Sequence, residues 1–312
     1  MPILGTVASS FDNTVAARGL IAGGDVGGAT NVIDYVTIAT TGNAIDFGDL
    51  TVARYAPSSC ASSTRGLFAG GNNNAAGGVN NIIDYVTILT AGNAIDFGDL
   101  TNVRYGAGGS SSSTRGIFGG GNSDSNYGPY VNIIDYITIA STGNAIDFGD
   151  LSDVRNGVGG CSSPTRSLFA GGVPTNNLSS NIIEYVTIAS TGNVTDFGDL
   201  TLGKYMTAAC SSSTIGVFGG ANNYPTDSNV IDYVTIATTG NATDFGDLTA
   251  ARGGSGACSS STRGLFSSGT GGGNGNVIDY VEIATTGNAT DFGDGTVSRV
   301  GVVGLSNAHG GL

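Results

Sequence analysis

The phrase Asp-Phe-Gly-Asp occurs six times, beginning at Asp46, Asp96, Asp147, Asp196, Asp244 and Asp291. A period near 50 residues decides the architecture before any local propensity does, because each unit is one supersecondary element that must bury itself against its neighbours. Twelve residues before each copy stands the acid of Ile-Asp/Glu-Tyr, at Asp34, Asp84, Asp135, Glu184, Asp232 and Asp279. Nineteen residues after the first five copies comes a Thr-Arg position, held by Arg65, Arg115, Arg166, Ile215 and Arg263, with Arg18 ahead of the first unit.

Each unit divides into four short strands. A Gly/Ser/Ala-rich segment such as "GAGGSSSSS" is strand a, "RGLFAGG" strand b, "NIIDYVTIA" strand c and "NAIDFGDL" strand d. "TTGN" or "TAGN" between c and d is a tight-turn signal. Strand c is apolar on both faces, with Ile82, Val86 and Ile88 on one and Ile83 and Tyr85 on the other, the pattern of a strand covered on both sides. The expected fold is all-β: a six-bladed β-propeller of four-stranded antiparallel blades. The scarcity of strong helix formers agrees, and the small residues of strand a suit the crowded axis.

The units run over about 15–51, 52–101, 102–152, 153–201, 202–249 and 250–296. The tail "VSRVGVVGLSNAHGGL" continues in strand-a register. Residues 297–312 are therefore expected to supply the innermost strand of the first blade and close the ring. Residues 1–14 are then surplus to the ring and read as an attachment segment.

All 11 basic residues fall at two repeat positions: Arg18, Arg65, Arg115, Arg166 and Arg263, then Arg54, Arg104, Arg155, Lys204, Arg252 and Arg299. Of the 24 acids, 18 are the Ile-Asp-Tyr acid and the two Asp-Phe-Gly-Asp aspartates of each unit. Charges confined to six-fold positions read as blade-to-blade pairs and turn caps. Cys60, Cys161, Cys210 and Cys258 share one repeat position, too far apart for disulfides, and read as small buried thiols.

The variation is concentrated elsewhere. From the Thr-Arg position to the next Ile-Asp-Tyr acid the gap is 16, 19, 20, 18, 17 and 16 residues, so every insertion lies in the b–c loop. These loops share one face of the ring with the d–a connections, and insertions gathered on one face mark a candidate binding surface. Three of the 12 tyrosines, Tyr127, Tyr130 and Tyr224, leave the repeat positions and fall in these loops. Tyrosine beside amides and carboxylates suits sugar recognition. The candidate ligand-binding set is Asn72, Asn73, Asn74, Tyr127, Tyr130, Asn176, Asn177, Asn222, Asn223, Tyr224 and Asp227. Drifting surface loops with no ligand are the alternative.

Several chemistries lose support. A net charge of −13 opposes nucleic-acid and anionic-membrane binding. A kinase reading of Asp-Phe-Gly fails without the accompanying loops, and the Asp-box of sialidase propellers fails without its Ser/Thr and Trp. Asp-Phe-Gly-Asp reads instead as a structural turn, with calcium between the paired aspartates left open as the one metal alternative and no other cofactor expected. The single histidine, His309, lies three residues from the end, and no unique carboxylate pair stands out, so no enzyme is expected.

The run from Arg through a small-residue strand to Gly-Gly, then a Tyr-bearing and an aromatic-bearing strand, resembles the kelch motif. Its glycine pairs read as Gly23-Gly24, Gly70-Gly71, Gly119-Gly120, Gly171-Gly172 and Gly219-Gly220, with Ser267-Ser268 in the last unit. The kelch Trp is missing. The Asn/Thr/Gly/Ser-rich, lysine-poor style is also similar to kelch-like proteins of tailed-phage virions and tail fibres. That resemblance implies a virion or extracellular protein without a signal peptide, in contact with other virion proteins and recognising a surface glycan or host receptor protein. A structural virion decoration or spacer and an intracellular kelch-type adaptor are the other two readings.

Overall fold

The structure, a computed structural model, describes residues 16–75, 78–124, 128–175, 178–222, 226–270 and 275–312. Within them, 24 strands form six four-stranded antiparallel sheets. Blade 2 sets the plan, with β4 (Ser58–Ala61) innermost, then β5 (Arg65–Ala69), β6 (Ile82–Thr87) and β7 (Ile95–Asp99) outermost. Blade 1 joins the ends of the chain in the order β24 (Val303–Ser306), β1 (Arg18–Ala22), β2 (Val32–Thr37) and β3 (Ile45–Asp49). Leu305 faces Leu20 across that seam, so the C-terminal strand closes the ring as expected and leaves no open blade edge there. The other innermost strands are β8 (Gly108–Ser111), β12 (Gly159–Ser162), β16 (Ala208–Ser211) and β20 (Gly256–Ser259).

The core lies between blades. Leu67, Ile83, Phe97 and Leu100 of blade 2 pack with Phe118, Ile137 and Ile139 of blade 3, and the other interfaces repeat the scheme. Fully burying each such side chain stabilises the ring by about 1.5–3 kcal/mol. Closer to the axis the contacts become so tight that side chains disappear. The Cys60 sulfur rests against Gly116 of the next blade, where any Cβ would overlap it, and Cys161, Cys210 and Cys258 meet Gly216, Gly264 and Gly19 in the same way. All four thiols are free and buried. Burial pushes Cys161 and Cys258 up to about 12 and Cys60 and Cys210 well above the ordinary range, so they remain protonated packing groups.

Both basic positions are built into the ring. Arg54, in the segment entering blade 2, donates through Nη2 to Asp84 Oδ2 at 2.8 Å and to the Phe68 carbonyl at 3.1 Å, with both ionic side chains fully buried. Thr51 Oγ1 donates to the other carboxylate oxygen at 2.6 Å. The pairs Arg104–Asp135, Arg155–Glu184, Lys204–Asp232, Arg252–Asp279 and Arg299–Asp34 repeat this strut around the ring. The second set stacks on tyrosine instead. The guanidinium carbons of Arg18, Arg65, Arg115, Arg166 and Arg263 stand 4.2–4.8 Å from the ring centres of Tyr35, Tyr85, Tyr136, Tyr185 and Tyr280. Each also donates to a carbonyl beyond strand c of the following blade, as Arg65 does to Ile139.

Two expectations need correction. Asp-Phe-Gly-Asp lies on strand d as expected, the outermost strand of each blade, as in β3 and β7, so its second reading as a structural turn does not hold. Its backbone is tied to the Gly-Asn turn of the next blade, Gly92-Asn93 for the first blade. Gly92 N–H donates to the Phe47 carbonyl at 2.8 Å, Ala94 N–H to Asp49 at 2.7 Å, and Asp49 N–H donates to the Asn93 amide oxygen at 3.1 Å. Gly48 is required because a Cβ there would lie 2.5 Å from the Gly92 carbonyl oxygen. The glycine pairs are also shifted by one residue in three units. Left-handed φ values align Gly23, Gly70, Gly120, Gly171, Gly220 and Ser268, so the equivalents are Gly120-Gly121, Gly220-Ala221 and Ser268-Gly269.

Candidate functional site: the mouth of the axial channel

Six d–a connections converge on the axis at the face that carries the b–c loops. At their innermost points stand Ala56, Gly106, Gly157, Met206, Gly254 and Gly301, all with φ between 47° and 72°. Their peptides form a closed circle. Gly106 N–H donates to Ala56, Gly157 to Gly106, Met206 to Gly157, Gly254 to Met206, Gly301 to Gly254 and Ala56 back to Gly301, at 2.6–3.0 Å. A left-handed residue turns both its N–H and its C=O along the circumference, and six in succession satisfy one another.

The residue before each of these points anchors a b–c loop. Tyr55 bridges to Asn72, Tyr105 to Asn122, Asn156 to Val173 and Val300 to Asp25, while Asn222 N–H donates to the Tyr205 carbonyl at 2.8 Å. Inside the circle opens a funnel of about 100 Å³ lined by residues that include Pro57, Ala107, Val158, Met206 and Thr207, with no ionisable side chain. A space of this size receives a small group or a few waters rather than a whole sugar ring.

The mouth is not six-fold. On one arc lie Tyr55 and Tyr105, with ring centres 5.6 Å apart, packed with Ala56, Val79 and Met206. Tyr105 hydroxyl accepts from the Asn122 amide at 3.0 Å, and Tyr205 hydroxyl accepts from Asn156 at 3.4 Å. The opposite arc carries Gly253 and Val300 at the equivalent positions. Charge is also one-sided. The 11 cations are engaged in the struts and on the tyrosine rings, whereas Asp25, Asp124 and Asp227 belong to the loops. Such a face suits neutral or cationic partners.

The loop residues expected from sequence fall into three groups. Asn73 and Asn74 are exposed, and Asn74 Nδ2 donates to Asp25 Oδ2 at 2.8 Å, linking the loops of blades 2 and 1. Asn222 is half-buried, and half-buried Asp227 accepts from Thr270 Oγ1 at 2.7 Å, linking blades 5 and 6. Asn72 and Tyr130 are buried: Asn72 holds the loop base through its bond to Asn74 N–H at 2.8 Å, and Tyr130 bridges to Asn122. Those two shape the loops from within rather than presenting a surface. Tyr127, Asn176, Asn177, Asn223 and Tyr224 lie outside the described residues.

Sequence reading missed Tyr55, Tyr105, Tyr205 and Met206 because they occupy a repeat position. The available signal was incompleteness: tyrosine fills that position in three units of six, whereas the scaffold tyrosine of strand c is present in all six. Among the described residues, no group of three or more His, Cys, Asp or Glu is placed to hold a metal ion. Compared with known proteins, the chain matches no family model and no curated protein, so the kelch and phage resemblances rest on the motifs alone and the functional reading rests on this geometry.

Proposed function

We propose that the protein is a non-enzymatic recognition module that binds a surface glycan or protein through its b–c loop face, as a tail-fibre or other virion component. The observation that carries this reading is the asymmetric mouth. Half-buried Tyr55 and Tyr205 border a charge-free axial funnel, with Tyr105, Asn122 and Asn156 buried behind them and no tyrosine at Gly253 or Val300, on the face where loop lengths vary. The partly exposed rings of Tyr55 and Tyr205 provide stacking area, and the exposed amides of Asn73 and Asn74 hydrogen bonds, for sugar hydroxyls or for a polar peptide. The virion assignment rests on the style of the repeats, and the test decides whether a bacterial surface is the target.

Fluorescently labelled protein is incubated with a panel of bacterial cells and isolated surface polysaccharides. Saturable binding, reduced at least tenfold by Tyr55→Ala with Tyr205→Ala, is the expected result. Failure of the folded protein to bind any surface overturns it and favours the second reading, a structural decoration without ligand. That reading has its own support in the Asn74–Asp25 and Thr270–Asp227 bonds, which use loop side chains to brace neighbouring blades.

A further inference from the structure

The opposite end of the axial channel is closed by the chain itself. At the last residue of each innermost strand, or at Ala61 in β4, a ring of side chains surrounds the axis. Ser111 Oγ donates to the Ala61 carbonyl at 2.7 Å, Ser162 to Ser111 at 2.7 Å, Ser211 to Ser162 at 2.7 Å, Ser259 to Ser211 at 2.8 Å, and Ser306 to Ser259. Five positions are serine and one is alanine, so the circle lacks one hydroxyl.

The segment after β24, residues 307–312, folds back across this end. Gly310 N–H donates to the Ser211 carbonyl at 2.9 Å. Gly310 and Gly311 press so closely on Ser212 and Ser111 that a Cβ at either would overlap a carbonyl oxygen. His309 docks beside Ala61, on the Ser111–Ala61 link. Its Nε2 lies 3.0 Å from the Ala61 carbonyl and 3.3 Å from Ser111 Oγ. Its Nδ1 accepts from Gly311 N–H at 3.0 Å.

These partners fix the protonation state. A carbonyl only accepts, so Nε2 carries the proton, and a backbone N–H only donates, so Nδ1 is bare. The docked imidazole is therefore neutral. A proton on Nδ1 would face the Gly311 N–H and break that contact. We propose that residues 307–312 are a proton-sensitive plug, which closes the axial channel while His309 is neutral and is released when Nδ1 is protonated. Burial depresses the basicity of His309 against the smaller opposing effect of the Ala61 carbonyl, in the same sense as the hydrogen-bond geometry.

Arg18 of β1 touches the plug through its backbone, at Asn307, while its guanidinium stacks on Tyr35. The strands around the imidazole, β4, β8, β12, β16, β20 and β24, hold no ionisable side chain except the four cysteines, whose thiols stay neutral. Residues 307–312 hold none besides His309. The sign follows from linkage. A base whose docked pKa is depressed contributes fully above the free value of about 6.5, and docking weakens by up to tenfold per pH unit below it until the docked pKa is reached.

The test measures hydrogen exchange of the intact protein from pH 7.5 to 5, corrected for intrinsic rates, alongside titration of its one imidazole by NMR. Protection over residues 307–312 is expected to fall about tenfold per unit below pH 6.5, while Ile133–Thr138 stays protected and the imidazole titrates below the ordinary histidine value. In His309→Gln, which keeps a neutral donor toward Ala61, the profile should be flat. An unchanged pH profile in His309→Gln overturns the proposal. So does an imidazole that titrates at or above the free value, or a loss of protection shared equally by Ile133–Thr138.

Discussion

The two ends of the axial channel solve one problem with different atoms. At the mouth, six residues from Ala56 to Gly301 close a circle of backbone hydrogen bonds, which any residue able to adopt a left-handed φ can complete; even Met206 takes its place. At the plugged end the circle is made by serine hydroxyls, and one alanine is enough to break it. Backbone circles tolerate sequence drift above them, so the mouth can carry Tyr55, Tyr105 and Tyr205 at three of its six positions without loss of closure. Side-chain circles record each substitution as a local gap, and His309 docks on the carbonyl of the alanine that leaves this one. A symmetric scaffold thus acquires unique sites in two ways, by adding to a backbone ring and by subtracting from a side-chain ring.

The comparison can be broken hardest from beneath the mouth. Arg104 directly precedes Tyr105 and Gly106, so Arg104→Ala removes the strut under the circle and leaves Asp135 buried without its partner. Urea denaturation should show a loss of about 3–5 kcal/mol. Gly106→Val attacks the circle itself, because a β-branched residue resists a left-handed φ and its Cβ would collide with the Asn156 amide oxygen. A loss of about 2 kcal/mol is expected in the same assay.

Smaller effects are expected at the other end. Ala61→Ser supplies the missing hydroxyl toward Ser306 and should raise unfolding free energy by about 1 kcal/mol. Gly311→Ala should leave global stability within about 0.5 kcal/mol, since the plug is peripheral to the blade cores, while exchange of residues 307–312 becomes fast. If Gly311→Ala instead unfolds the ring, the two ends are not the independent devices described here.

The architecture was legible because periodicity and turn chemistry act locally. Ile-Asp-Tyr, Gly-Asn and the small residues before Thr-Arg recur at fixed spacing, and each recurs for one packing reason. What escaped depended on atoms brought together from distant units. In the run Gly119–Gly121 only φ shows which glycine turns the chain. Asp-Phe-Gly-Asp read both as strand d and as a turn, because its glycine serves the next blade's turn across an interface. The paired roles of Arg54 and Arg65 were foreseen only as charge pairs, yet the second set stacks on tyrosine, and Arg263 also pairs with Glu282. His309 looked like a loose tail residue, because the alanine that receives it stands 248 positions earlier.

The central claim is that the six-fold positions hold the ring and the b–c face does the work. It is tested most directly by trimming the loops of blades 2 to 5 to the length of the first, keeping the bridging Asn72, Asn122, Val173 and Asn222, and measuring thermal unfolding and cell-surface binding of the same preparation. The account predicts an unfolding midpoint within a few degrees of the parent, and binding that is lost. A trimmed ring that still binds at full strength, or one that no longer folds, would contradict it.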